Sequence, residues 1–260
     1  DLVLANTSFL GHTGYNNHSR EFFTRLNKLI NVRIRNYTIT KDLSYLTPEQ
    51  NAMIIEQIWS EEPWKAGVPF DANQYNNIVN IVLNETDHYF FYDQYTKPYI
   101  FYNVWESTRQ PEAFFNRILE ANQFWVPSVW QRNCTIEQGY DEDRVKIVPE
   151  GVDGDIFNPN PVPNPFDSGV FTFLLVGRWD YRKSTKEIIK AFLNEFKKNE
   201  PVQLVCAVDN QFQVDNFKST EERLEAYDLV DDRIKVKHFM KFPEYLSYLK
   251  NCNAFVSCAR

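Results

Sequence analysis

Two stretches of this chain place chemically useful residues at the ends of strand-like runs. The first, LVLANT, opens into SFLGHTGYNNHSREFFTRL, which sets Gly11 and Gly14 in a turn with an amphipathic stretch immediately after it. A glycine turn that feeds a helix presents free N–H groups and the positive end of the helix dipole, and so can hold an anion. The same two glycines, without a Walker lysine or a full G-x-G-x-x-G, also make a merely tight strand-to-helix turn. His18 falls four residues after Gly14, in the first helical turn, where it either faces the ligand or fills a structural position. The second stretch, LLVGRWDYRKSTKEIIKAF, ends a strand at Gly177 and Arg178 and puts Arg182 and Lys183 just before the next helix. Arg178 and Lys183 then converge at the carboxyl end of a strand, where open α/β sheets bind ligands. A guanidinium gives bidentate phosphate contacts and an ammonium adds a mobile point charge. The competing reading is a solvated turn, although a lysine near a helix start opposes the dipole.

These residues need a scaffold that brings strand ends together, and the pattern along the chain supplies one. Short β-rich apolar runs at 1–9, 32–38, 77–83, 98–105, 123–126 and 145–149 alternate with amphipathic stretches at 15–30, 48–60, 111–121 and 128–138. Pro48 and Pro111 open the second and third of those helices, a position that tolerates proline. Alternation of this kind predicts a parallel sheet with crossover helices, and near-continuous apolar runs such as VKIV predict burial on both faces. Between 158 and 169 the chain reads NPNPVPNPFDSG, with prolines at 159, 161, 163 and 165, which forbids helix and central strand. That stretch is the expected semi-rigid linker between a first domain, 1–157, and a second, 170–260. After it the alternation resumes: strands at 171–177, 202–208, 234–238 and 254–258, and helices at 184–198, 216–228 and 243–251. The second domain is therefore expected to be an incomplete doubly wound sheet.

With 260 residues, 43% hydrophobic and 24% charged, the composition excludes collagen-like and broadly disordered chains. The longest apolar runs, such as FTFLLVG and PYIFYNVW, fall far short of the roughly 20 residues that a membrane helix needs. The chain opens directly on a strand with no charged or apolar leader, so a trimmed or internal segment and a cytoplasmic location are expected. Net charge is −7, divided as −8 over 1–157 and +1 over 158–260. An acidic first half is a poor partner for nucleic acid or anionic lipid, and an anionic ligand must lean on the second half. Cys134, Cys206, Cys252 and Cys258 are widely spaced without a C-x-x-C pair, which predicts buried, reduced thiols. The sequons at Asn36 and Asn84 lie in or beside strand-like runs and are read as chance.

The run VPSVWQRNCTIEQGYDEDRVKIVPEGVDGDIFNP, the proline stretch and FTFLLVGRWDYRKSTKEIIKAF together resemble the retaining, nucleotide-sugar-dependent glycosyltransferases of GT-B fold, in the glycogen-synthase-like and mannosyltransferase group. Pro149, Gly151, Val152, Asp153, Phe157 and Pro159 match the family's P-x-G-V-D-x-x-x-F-x-P, and Gly177, Arg178 and Lys183 match its G-R-x-x-x-x-K loop. Gly14 and His18 match its G-x-x-x-H helix start, and NAFVSCAR resembles the strand before its acidic motif, so the likeness covers essentially the whole chain.

What the resemblance implies is an α/β chain of GT-B type with two Rossmann-like domains and a cleft between them, the acceptor mainly on the first and the nucleotide sugar mainly on the second. Arg178 and Lys183 would neutralise the leaving diphosphate, with Gly14 assisting and Met240 bordering the donor pocket. Tyr15, His18, Trp105 and Glu106 would lie on the acceptor side; Glu106 would orient a hydroxyl and Trp105 would stack on a sugar ring or else pack as a strand end. The donor would be a nucleoside diphosphate sugar and the acceptor a glycan or small hydroxyl compound, with no cofactor, no metal and no nucleic acid. Asp141, Glu142 and Asp143 offer the spacing of a metal-binding D-x-D but sit in a turn before VKIV, where solvated acids are expected. Asp209-Asn210 and Met240 stand where the family has glycines, and its paired glutamates would begin beyond Arg260. An inactive glycan- or partner-binding module of the same fold is the alternative. A dinucleotide oxidoreductase is disfavoured because neither opening strand is followed by G-x-G-x-x-G.

Overall fold

The computed structural model describes residues 1–11, 13–37, 43–57, 71–84, 98–167, 169–210 and 216–259. They divide into two compact units, Asp1–Gly151 and Val152–Arg260. In the first unit the elements run β1 (Leu2–Thr7), α1 (Gly14–Leu26), β2 (Asn31–Asn36), α2 (Pro48–Met53), β3 (Ile54–Gln57), β4 (Ile78–Leu83), β5 (Tyr99–Tyr102), α3 (Glu112–Leu119), β6 (Gln123–Val126), α4 (Val129–Glu137) and β7 (Val145–Ile147), with a 3-10 turn at Ala72–Gln74. The strands form one parallel sheet in the order β3-β2-β1-β4-β5-β6-β7. Every residue of the central β1 is buried, as a strand covered on both faces must be.

The order of that sheet reverses direction between β1 and β4, so their carboxyl ends form the switch point at which such sheets leave a crevice. The turn carrying Gly11 and Gly14 therefore sits at the switch point. One face of the sheet is sealed by α1, whose Phe23 joins Phe9, Leu10, Val32 and Ile34 in a dry cluster, and the other side of the core gathers Phe101, Phe115, Ile118 and Phe124.

Two expectations give way here. The helix expected over 48–60 stops at Met53, and 54–57 becomes β3, paired with β2; residues 58–60 lie outside the described ones. Capping by Thr47 and Gln50 starts the helix, but Met53 and Ile54 are 2% and 0% exposed, and burial at the sheet edge outweighs helical propensity. β7 is also not buried on both faces: it is an edge strand, and Lys146 and Ile147 are exposed.

The second unit contains β8 (Phe171–Val176), α5 (Thr185–Glu195), β9 (Val202–Ala207), α6 (Thr220–Ala226), β10 (Ile234–Val236), α7 (Phe242–Asn251) and β11 (Ala254–Val256). Its parallel sheet has the order β10-β9-β8-β11, which puts the switch point at the carboxyl end of β8. Thr185, Ile188, Ile189 and Phe192, spaced three or four apart, turn one face of α5 onto the core. The proline-rich stretch lies along α7: Ser247 donates to the Pro163 carbonyl at 2.7 Å, Lys250 to Asn158 at 2.8 Å, and Phe166 meets the Tyr248 ring edge-on at 5.1 Å. The α/β class expected from the sequence is the one the chain has. The expectation for the cysteines is corrected: all four thiols are free, but only Cys206 is buried, Cys134 and Cys252 are half-buried and Cys258 is exposed.

Candidate functional site

The turn after β1 is built by side chains that the sequence patterns did not single out. Asn36, buried at the end of β2, accepts the Phe9 and Leu10 amides at 2.8 and 3.0 Å. Arg20 reaches back from α1 to the carbonyls of Phe9 and Gly11, at 2.8 and 2.7 Å, with its guanidinium over the Tyr45 ring. The Tyr45 hydroxyl accepts the Gly11 amide at 2.7 Å. Thr13 and Asn16 cap α1 reciprocally, and the Asn16 amide also donates to Ser8. Gly11 carries the positive φ of +117°, whereas nothing lies within 4 Å of where a Cβ on Gly14 would be. Gly11 thus serves the shape of the turn, and Gly14 leaves open space at the helix start.

One turn into α1, His18 Nδ1 lies 3.0 Å from a carboxylate oxygen of Glu150, with His18 15% and Glu150 50% exposed. Tyr102, at the end of β5, meets the imidazole edge-on at 5.0 Å and donates its hydroxyl to the Val148 carbonyl at 2.7 Å. Burial pushes the His18 pKa below its ordinary 6.5 against the opposing pull of Glu150. Burial raises the Tyr102 pKa, and the Glu150 charge adds to it. Glu150 occupies the free position of the P-x-G-V-D run, so its neighbours were legible in sequence but its partner was not.

Tyr15 commits its hydroxyl to the backbone, donating to the Val104 carbonyl at 3.0 Å and accepting the Val104 amide at 3.3 Å, which ties α1 to the segment after β5. In that segment Trp105 is held on both sides: its amide donates to Gln131 at 3.0 Å, its indole N–H to the Arg109 carbonyl at 3.0 Å, and its ring stands edge-on to Phe114. These contacts fix the orientation of a half-buried indole at the strand end. Glu106 follows it into solvent. In the turn before β7, Asp141 accepts the Asp143 amide at 2.9 Å and Glu142 pairs with Arg132 at 2.8 Å.

In the second unit the loop after β8 carries the two expected cations and, between them in sequence, an acid that went unread. Gly177 has φ +140°, a conformation that favours glycine, and it lies beside the Lys183 stem, which a Cβ there would meet at an ordinary contact distance of 3.7 Å. Asp180 accepts the Lys183 amide at 2.8 Å through one oxygen and lies 3.4 Å from Arg178 Nε through the other. Thr185 donates to the Arg178 carbonyl, and buried Trp179 donates its amide to Val208 at 2.7 Å. Ser184, left-handed at φ 52°, starts α5 directly after Lys183, so the loop that carries Arg178 and Lys183 runs straight into a helix N-terminus, the end of a helix that favours anions. Met240 is on a different loop, after β10, partly buried against Leu174, Val205 and Tyr248.

No protein-family model matches the sequence, and no curated protein matches it. Solved structures do. HepE of Anabaena, in complex with UDP-glucose, superposes over 99% of this chain and 74% of its own at 12% identity and a TM-score of 0.60. A glycosyltransferase from Rickettsia africae matches over 99% of this chain and 73% of its own at 15% identity and a TM-score of 0.69. A structure described as trehalose-6-phosphate from E. coli bound with UDP-2-fluoro glucose matches over 100% and 78% at 8% identity and a TM-score of 0.68. This chain thus shares the fold of these proteins, the GT-B fold of glycosyltransferases. Among the described residues no helix is long and apolar enough to cross a membrane.

Proposed function

We propose that this protein transfers a sugar from a nucleoside diphosphate sugar to a hydroxyl acceptor, with retention and without a metal ion. The observation that carries the reading is the loop after β8: Arg178 and Lys183 lie on one loop at the switch point of a parallel sheet, leading into α5, on a backbone shaped by Gly177 and Asp180. Departure of a nucleoside diphosphate builds negative charge on oxygen, and preorganised cations at a helix N-terminus stabilise that charge as it forms. The sugar carbon becomes oxocarbenium-like as the bond breaks, as in glycoside hydrolysis. HepE and the E. coli structure are described with UDP-glucose and UDP-2-fluoro glucose, and the same class of donor is assigned to this chain.

The acceptor belongs to the first unit, at Gly14, Tyr15, His18, Trp105 and Glu106, and the −8 charge of residues 1–157 favours a neutral glycan or small hydroxyl compound over a polyanion. Calorimetric titration with UDP tests the donor half directly. The natural chain should bind, and Arg178→Ala and Lys183→Ala should each weaken binding while their melting temperatures stay unchanged. UDP affinity that is indifferent to both substitutions would remove the assignment.

A further inference from the structure

His18 and Glu150 form a pair whose chemistry is set by which nitrogen the carboxylate faces. An ionised carboxylate only accepts hydrogen bonds, so at 3.0 Å from Glu150 the Nδ1 atom of His18 is the protonated one. A neutral imidazole carries a single N–H, which leaves Nε2 with an open lone pair. Free imidazole side chains favour the opposite tautomer, so Glu150 is working against the intrinsic preference.

Two features hold the arrangement in place, and a third leaves one nitrogen open. The Tyr102 ring stands at 90° to the imidazole at 5.0 Å, and the Phe22 ring meets it at 6.2 Å. Tyr102 also binds the Val148 carbonyl, and the Val148 amide donates to Val126 at 2.9 Å, which pins the backbone two residues before Glu150. Finally, Nε2 has no partner among the described residues, and it is not one of the buried polar atoms sealed from solvent. The titratable groups against the ring are Glu150 and Tyr102. Because Tyr102 spends its hydrogen on Val148, Nε2 is the side of this cluster that can receive a hydrogen bond from outside.

We propose that Glu150 is a positioning residue that holds His18 in its Nδ1–H form, so that Nε2 accepts a hydrogen bond from a hydroxyl of the acceptor sugar. The pairing stands on its own geometry, and the identity of the ligand rests on the transferase reading above. Burial supports it by keeping the imidazole neutral, and the N-terminal end of α1 acts in the same direction.

Nitrogen-15 NMR of the histidine rings at neutral pH tests the inference on the whole chain, with glucose as the probe. The natural protein should show His18 protonated at Nδ1 and bare at Nε2, and glucose should displace the Nε2 resonance saturably. Glu150→Leu should move His18 toward the Nε2–H form and abolish the displacement. Glu150→Gln, whose amide oxygen still accepts from Nδ1–H, should retain both. An Nε2–H tautomer in the natural chain, or an Nε2 resonance that glucose leaves in place, would overturn the proposal. Both of these observations need no variant, so loss of folding in Glu150→Leu leaves the test intact. Loss of the Arg178-dependent UDP binding would instead remove the transferase reading and leave the tautomer result standing.

Discussion

Asn16 occupies the space that a side chain on Gly11 would need: a Cβ on Gly11 would lie 2.6 Å from Asn16 Oδ1, the same atom that accepts the Thr13 amide at 2.8 Å and so caps α1. With φ at +117°, Gly11→Ala combines backbone strain with a clash against the helix cap, and a loss of about 1–3 kcal/mol is expected. Gly14→Ala should cost nothing or stabilise by up to about 1 kcal/mol, because the position is helical and open. Urea unfolding of the two variants checks the contrast. A drop in UDP or glycan affinity for Gly14→Ala at unchanged stability would show that the open space is used by ligand.

Arg178 and Lys183 should differ from their neighbours in kinetics rather than in stability. Arg178→Ala should reduce transfer from UDP-glucose by about 10²-fold or more, the ~3 kcal/mol scale of one preorganised charge contact. Asp180→Ala, which removes the carboxylate beside Arg178 Nε and the acceptor of the Lys183 amide together, should lower transfer less while softening the loop. Near-normal turnover of Arg178→Ala would sink the site assignment.

Chelation separates the two ways of meeting the leaving charge. With Arg178 and Lys183 supplying it, excess EDTA should leave the transfer rate unchanged. A strict requirement for Mg²⁺ or Mn²⁺ would shift attention to Asp141 and Asp143, whose present bond is local, from Asp141 to the Asp143 amide.

Two histidines should show midpoints displaced in opposite directions from 6.5 in a single NMR pH series. In the second unit His238 sits between Asp209, 3.0 Å from Nδ1, and Glu221, 3.2 Å from Nε2, and the Asp209 hydrogen bond leads in raising its pKa above 6.5. Its contribution to stability is fully present below the unfolded value and is lost as pH rises through the folded one. His18, lowered by burial, behaves inversely: its contribution is present above 6.5 and is lost as acid protonates the unfolded chain first. His238→Gln should therefore flatten the stability profile on the alkaline side of 6.5 and leave the acid side alone. A His238 midpoint below that of His18 would contradict both assignments.

Much of the architecture was legible from alternation alone, because buried parallel strands and amphipathic helices leave periodic apolar patterns that local chemistry enforces. Gly177, Arg178 and Lys183 were legible as well, since a loop that turns on glycine and carries cations into a helix start is a local arrangement. β3 was not, because residues after Met53 continue a plausible helix until the edge of β2 offers them a ladder. The open neighbourhood of β7 was equally invisible, since its apolar residues do not reveal that they lie at an edge. The pairings that set the chemistry span long stretches of chain: His18 with Glu150, Tyr102 with Val148, and Asn36 with the Phe9 and Leu10 amides. Residue types and spacing thus determined which side chains were available and which strand ends carried them. Tertiary structure alone decided which atom each would face, because a hydrogen bond of about 3 Å between residues far apart in sequence depends on how the whole sheet is ordered.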